Sequence, residues 1–337
     1  MKKLLDKLVG KNDLTFDEAY SLMSKIMCGE LNNSQIAASL IALKIKGEKP
    51  DEVAGFANAM RDKSEKVLTN GFSPIDVCGT GGDNSGTFNI STAASFVVAA
   101  SGIHVAKHGN RSISSKSGSA DVLKELGVNI KLTKEQSAEV LKIAGITFLF
   151  APLYHPAMKH AAPVRKELGM KTVFNILGPL TNPAGTKKQV IGTFSNQTAK
   201  LMADAAGKLE MERVCFVCTD DKYDEITLTG KTKVFEYSKN DKLNEFEISA
   251  ATFELEEITL DEIKGDSAKT NAKIILDVFN GNESPALYVT AANAALGIYA
   301  SGVSNDLKES FHIAIDAIKS GRAMNKLNEL INIGNNL

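Results

Sequence analysis

Gly79-Thr80-Gly81-Gly82-Asp83 follows the short apolar run 75–78, and Asn89-Ile90-Ser91-Thr92 opens an Ala-rich stretch a few positions later. A β-prone run, a loop nearly bare of side chains and a hydroxyl-bearing helix start offer backbone N–H groups and the positive end of a helix dipole, an arrangement suited to phosphate. Neither common nucleotide signature is present. A Walker loop needs Gly-Lys-Ser/Thr where Asn84 and Ser85 stand, and a dinucleotide fingerprint begun at Gly79 needs glycine in place of Asn84. Taken alone, the glycines also read as a tight turn at a strand end. Asp83, Thr87, Asn89, Ser91 and Thr92 add carboxylate, amide and hydroxyl groups that suit ribose hydroxyls, magnesium and pyrophosphate; a plain helix cap needs only one of them.

Three further clusters could do chemistry. Lys107-His108-Gly109-Asn110-Arg111 runs into Ser112, Ser114, Ser115, Lys116, Ser117, Gly118 and Ser119. Lys107 and Arg111 supply charge for an anion, and the Ser/Gly run reads either as a loop ordered by a ligand or as a solvated linker; its place between a buried-type strand and a helix favours the loop. His155-Pro156, Arg165 and the stretch from Asn175 to Pro183 combine an imidazole, a guanidinium and a rigid Gly178-Pro179 wall, which suit an aromatic carboxylate held bidentately by Arg165. An isolated His155 also reads as a satisfied structural residue, and His160 carries no further signal. Asp224-Glu225 closes a loop that also holds Asp220 and Asp221, either a magnesium site or a solvated turn.

Positioning these groups requires a scaffold of two textures. Up to residue 70 the pattern is helical: Thr15-Phe16-Asp17-Glu18 is a capping box, 34–46 repeats the apolar spacing with Gly47 at its end, and Pro50 fits a first turn. From Ser73 onward, β-prone runs at 75–78, 103–106, 146–150, 189–194 and 214–217 alternate with helical stretches at 91–100, 120–126 and 199–209. That alternation predicts an α/β layer with a largely parallel central sheet. The segment 225–259 reads as an antiparallel excursion with turns at Thr229-Gly230-Lys231 and Lys239-Asn240-Asp241. Helices are expected beyond it at 266–279, 287–300, 307–319 and 323–333.

Composition excludes several classes. With 39 basic and 40 acidic residues and a formal net charge of -1, the 337-residue chain lacks the footprint of a general nucleic-acid binder. Cys215 and Cys218 match C-x-x-C but sit in a buried-type run without a second Cys or His pair, which argues against zinc or redox chemistry. The charged start and the absence of a long apolar stretch point to a cytoplasmic protein.

In order and spacing, Gly79-Thr80-Gly81-Gly82-Asp83, Thr87-Phe88-Asn89-Ile90-Ser91-Thr92, Lys107-His108-Gly109-Asn110-Arg111 and Asn175 to Pro183 closely resemble the anthranilate phosphoribosyltransferases of tryptophan biosynthesis. The resemblance implies a small all-helical domain, 1–70 with a segment returning at about 165–185, and a large α/β domain, 71–164 and 186–337. It implies transfer of phosphoribosyl from 5-phosphoribosyl 1-diphosphate to the amine of anthranilate, with magnesium, by a homodimer joined through the helical part. Gly79, Gly82, Asp83, Thr87, Asn89, Ser91, Thr92, Lys107 and Ser119 would then hold the diphosphate sugar. Gly79, His108, Asn110, His155, Arg165 and Gly178 would line the anthranilate path, Ser91, Asp224 and Glu225 would bind metal, and Lys107 and Arg165 would be catalytic. A pyrimidine nucleoside phosphorylase is the rival enzyme reading, and a non-catalytic nucleic-acid-binding relative the rival from another class.

Overall fold

The computed structural model describes residues 1–112 and 116–337, so Ser114 and Ser115 of the serine run lie outside the described residues. Four helices open the chain: α1 (Lys2–Val9), α2 (Phe16–Met27), α3 (Asn33–Lys46) and α4 (Pro50–Asp62). The Thr15 box starts α2, with Glu18 N–H donating to Thr15 Oγ1 at 3.3 Å and Thr15 N–H donating to Glu18 Oε2 at 2.8 Å. Asn32 and Gln35 cap α3 reciprocally, and Pro50 occupies the first turn of α4.

Seven strands form one sheet: β1 (Ile75–Gly79), β2 (Val105–Gly109), β3 (Ile146–Phe150), β4 (Lys188–Gly192), β5 (Arg213–Thr219), β6 (Thr232–Ser238) and β7 (Lys242–Ile248), ordered β3-β2-β1-β4-β5-β6-β7. The first five run parallel, and the excursion is the antiparallel β6–β7 hairpin. Between them lie α5 (Ile90–Ala100), α6 (Ser119–Glu125), α7 (Lys134–Ala144), α8 (Ala151–Tyr154), α9 (Ala162–Leu168), α10 (Phe174–Leu177) and α11 (Asn196–Ala206). The chain ends in α12 (Ala268–Phe279), α13 (Pro285–Ser301), α14 (Leu307–Lys319) and α15 (Arg322–Asn336). Helix α7 is absent from the sequence reading, although Thr133 and Gln136 cap it with the same box as α2. Strand β2 begins two residues later than expected and β4 ends two earlier, because the apolar runs continue into flanking turns.

Two large apolar clusters hold the molecule, with a small third around Ala106, Leu149 and Tyr154. One packs α5 and α12 to α15 on a face of the sheet. The other joins α1 to α4 with Phe174, Leu177 and Leu180 of the returning segment and with Ile191, Phe216 and Phe235 on the opposite sheet face. Short amphipathic helices need such a partner surface, since each buries only one stripe. The returning segment therefore stands between the N-terminal helices and the sheet, at the edge where the chemistry-bearing residues gather.

Candidate active site

Strands β2 and β4 flank β1, so the chain leaves β1 towards one side and later returns on the other, and a crevice opens past the C-terminal ends of β1 and β4. A cleft of about 1170 Å³ lies there. It is lined by Gly79, Gly82, Asp83, Thr87, Asn89, Ser91, Thr92, Lys107 and Ser119 on one side. His108, Asn110, His155, Arg165 and Gly178 line the other, and Asp224 with Glu225 reach in from beyond β5. The fold thus brings every sequence-predicted site residue to one cavity.

The glycine turn works differently from the expectation. Gly81 and Gly82 adopt the left-handed backbone at φ 66° and 76°, which glycine reaches without steric cost. The amide of Gly81 donates to Asp224 Oδ2 at 2.7 Å, and the Ser91 amide at the start of α5 donates to Glu225 Oε1 at 3.2 Å. Amides expected to face phosphate are therefore partly committed to the protein's own carboxylates. Gly79 is glycine for a related reason: a Cβ there would stand 2.8 Å from Asp224 Oδ2, and one at its register partner Gly192 would run into the Asp224 carbonyl. Asp224 fits only because two adjacent strands lack side chains at that level.

The four acids of the 220–225 loop divide by role. Asp221 Oδ1 accepts the Asn196 amide at 2.6 Å where α11 begins, and Asp220 Oδ1 accepts the Lys231 amide at 3.2 Å, so both hold local structure. Asp224 is buried, with its own amide 3.4 Å from Asp83 Oδ2. Burial, and then the charges of Asp83 and Glu225, push its carboxyl well above the usual range. Glu225 is raised as well, by desolvation against the pull of Lys107. Crowded carboxylates beside the Ser91 hydroxyl make an all-oxygen donor set that favours a divalent cation such as magnesium. No trio of His, Cys, Asp or Glu placed for a metal occurs among the described residues, so such a cation would lean on Ser91 and on ligand oxygens.

Lys107 is buried beneath this turn. Its Nζ donates to Val77 O at 2.6 Å and lies 3.4 Å from Ser91 Oγ. Arg111 lines the cleft as well, exposed and 3.9 Å from Asp121. Asn89 joins the neighbouring loops, its Nδ2 donating to Ser117 O at 3.3 Å and its Oδ1 accepting from Asn271 Nδ2 at 2.9 Å.

Across the cleft, the rings of His108 and His155 lie 5.2 Å apart, and both Nε2 atoms are buried with no hydrogen-bond partner among the described residues. Burial drives His108 down to about 3 and His155 to about 4, so both rings are neutral at pH 7. Arg165 stacks 5.1 Å over the Phe174 ring and makes no ion pair or hydrogen bond among the described residues. The wall at Gly178 is fixed by Thr181 Oγ1, which donates to Gly178 O at 2.9 Å. Arg61 of α4 anchors it further by donating to Leu180 O at 2.6 Å.

Sequence reasoning missed Met60, Phe174 and the segment around Lys264, Gly265, Asp266 and Asn271, all of which line the cleft. Gly265 N–H donates to Gly86 O at 2.8 Å, so this segment backs the glycine turn through main-chain contacts that leave no motif. Cys215 and Cys218 are buried in β5 with thiols raised by burial, as inert cysteines are. Among the described residues, no helix is long and apolar enough to cross a membrane.

Residues 73–324 match the glycosyl transferase family, a/b domain, and residues 2–64 match the helical bundle domain of that family. The anthranilate phosphoribosyltransferase of Acetivibrio thermocellus is 44% identical over 335 residues, covering 99% of this chain and 97% of the relative. That of Bacillus pumilus is 44% identical over 331 residues, covering 98% and 97%. Among solved structures, the anthranilate phosphoribosyltransferase of Thermus thermophilus superposes with a TM-score of 0.92 at 37% identity, covering 98% of this chain and 99% of that one. The enzyme of Saccharomyces cerevisiae in complex with PRPP and Mg gives a TM-score of 0.90 at 27% identity, covering 100% and 98%.

Proposed function

The chain belongs to the anthranilate phosphoribosyltransferase family of glycosyl transferases, and from that premise we propose that its cleft transfers the phosphoribosyl group of 5-phosphoribosyl 1-diphosphate to the amine of anthranilate, releasing pyrophosphate. The observation that carries this reading is the pairing within one cavity of crowded, desolvated carboxylates at a glycine turn with a half-buried guanidinium that has no acid of its own among the described residues. The first favours a cation and a polyphosphate; the second favours a carboxylate on an aromatic acceptor.

The aromatic amine is already a neutral nucleophile and pyrophosphate is a good leaving group, so alignment and charge matter more than proton transfer. Ser91, Asp224 and Glu225 would hold magnesium, which when bound supplies positive charge to the departing pyrophosphate. Gly82, Asp83, Thr87, Asn89, Thr92 and Ser119 would hold the diphosphate sugar, with Lys107 adding a fixed positive charge as C1 of the ribose gains oxocarbenium character. Gly79 keeps the room that the Asp224 carboxylate fills. Arg165 would grip the anthranilate carboxylate, with Asn110 and Gly178 at its flanks. The neutral rings of His108 and His155 offer acceptor nitrogens to an amine and would not repel it, as imidazolium would.

The division into a helical part, 1–70 with about 165–185, and an α/β part belongs to the same proposal, as do the homodimer through the helical part and the cytoplasmic setting. Exposed Val9 at the end of α1 and Ile45 near the end of α3 are apolar side chains that such an interface would cover. The test mixes the purified protein with anthranilate, the diphosphate sugar and magnesium, and follows loss of anthranilate fluorescence with each component omitted in turn. Turnover only in the complete mixture supports the reading; phosphorolysis of thymidine in its place would transfer the assignment to a nucleoside phosphorylase.

A further inference from the structure

Strand β1 pairs with β4 over five residues, yet with β2 it shares one register pair, Ile75 with Val105. Towards the cleft the β1–β2 ladder gives way to side chains. Lys107 Nζ donates to Val77 O at 2.6 Å, and the His108 amide donates to Asp76 Oδ1 at 3.2 Å. Asn182, from the returning segment, donates through Nδ2 to Asp76 Oδ2 at 2.8 Å and to Ala106 O at 2.7 Å. Its own Oδ1 accepts the Ala184 amide at 2.9 Å. A carboxylate with 0% exposure persists only where donors and an opposite charge compensate the lost water, and Asp76 has both.

We propose that Asp76, tied to Asn182, is a positioning residue for the transfer reaction: it bridges the parted ends of β1 and β2 and so fixes Lys107 and His108 in the cleft together. This rests on the function proposed above. Asp76 does not itself line the cavity and acts through its neighbours. Its Oδ1 fixes the main chain at His108, whose ring faces the acceptor side. Lys107, next to His108 in β2, has its Nζ on Val77 O and 3.4 Å from Ser91 Oγ, on the diphosphate side. Its Oδ2 holds Asn182, which follows the Gly178–Thr181 wall by a single position. Burial raises Asp76 to about 6, with Lys107 pulling it down, as expected of an acid committed to this network. One side chain thus couples the two strands and the acceptor wall.

Asp76→Asn keeps the shape but sets an amide N–H against either the His108 or the Asn182 donor and removes the charge. The expected result, with folding checked by circular dichroism, is a kcat lower by about 100-fold with both KM values within about threefold, the pattern of misplaced groups. In a Lys107→Met background the same change should cost about tenfold rather than 100-fold, because one of the groups it positions is gone while His108 and the Asn182 tie remain. Asn182→Ala keeps the Asp76 charge while removing the tie, along with the bonds to Ala106 O and the Ala184 amide, and should lower kcat by about tenfold in a protein that remains folded. If Asp76→Asn does not fold, Asn182→Ala decides. Unchanged kcat in Asn182→Ala, or an Asp76→Asn loss that multiplies fully with Lys107→Met, overturns the proposal. Failure of the wild-type protein to consume anthranilate would instead refute the function on which it rests, so the two failures are distinct.

Discussion

On the glycine-turn wall of the cleft, polar groups already answer one another: Gly81 and Ser91 amides hold Asp224 and Glu225, and Lys107 holds Val77 O. On the facing wall, Arg165 and the Nε2 atoms of His108 and His155 have no such partner among the described residues. On the function proposed above, the first wall carries a conflict of like charges that a cation would relieve, whereas the second carries donors and acceptors that an organic anion with an amine would take up. Two substrates of different chemistry can thus be told apart before either meets the other. The sheet bears the first wall; the second joins His108 of β2 and His155, past α8, to Arg165 and Gly178 of the segment returning to the helices.

The comparison breaks most visibly at the acids. Asp224→Asn with Glu225→Gln removes the charge conflict while keeping the hydrogen-bond shapes, and should lower magnesium-dependent turnover by about 10²- to 10³-fold. A metal titration indistinguishable from wild type would remove the first wall's proposed role. A structural counterpart is Gly192→Ala, whose methyl meets the Asp224 main chain rather than a movable side-chain end. Denaturant unfolding should show a loss of about 3 kcal/mol; a stability equal to wild type would mean that Asp224 is not held between β1 and β4 as described.

The facing wall gives a smaller, pH-dependent effect. His155 titrates near 4 in the folded chain against the ordinary 6.5, so the unfolded state binds the proton first. Stability should fall as pH drops through 6.5 and level off near 4, with His155 accounting for about 2 kcal/mol of loss by pH 5. His155→Gln should flatten that limb by the same amount in unfolding curves at pH 7 and pH 5. Asp76 works oppositely between about 6 and 4, because its raised carboxyl takes up a proton in the folded state first; the readable quantity is therefore the difference between variant and wild type. Parallel curves for the two proteins would show that the ring is not buried neutral.

Much of this was legible in the residues alone where local chemistry decides structure. The Thr15 box, Pro50, the run 146–150 that is β3 and the stretch 307–319 that is α14 all carry their own start, stop and period. The candidate site residues could be singled out, and the fold gathers them at one cleft, because glycine, lysine, histidine and arginine at such close spacing stand apart from an apolar core pattern. What escaped depends on contacts remote in sequence. That Gly79 makes room for a carboxylate far along the chain, that 264–271 backs the glycine turn, and that Asp76 reaches Asn182 are consequences of strand order, which no local pattern encodes. Helix α7 is a different miss: its cap was present, but its moderate apolar stripe was overshadowed by the neighbouring strand.

The division of labour between the walls is tested most directly by measuring, calorimetrically, the binding of each substrate with and without magnesium to Arg165→Ala and to the Asp224→Asn, Glu225→Gln protein. Arg165→Ala should weaken anthranilate by about 100-fold, the loss of about two charge-assisted hydrogen bonds, while leaving magnesium-dependent binding of the diphosphate sugar within a few-fold. The acid variant should do the reverse. If both proteins lose both ligands to the same extent, the two walls do not act separately and the account is wrong.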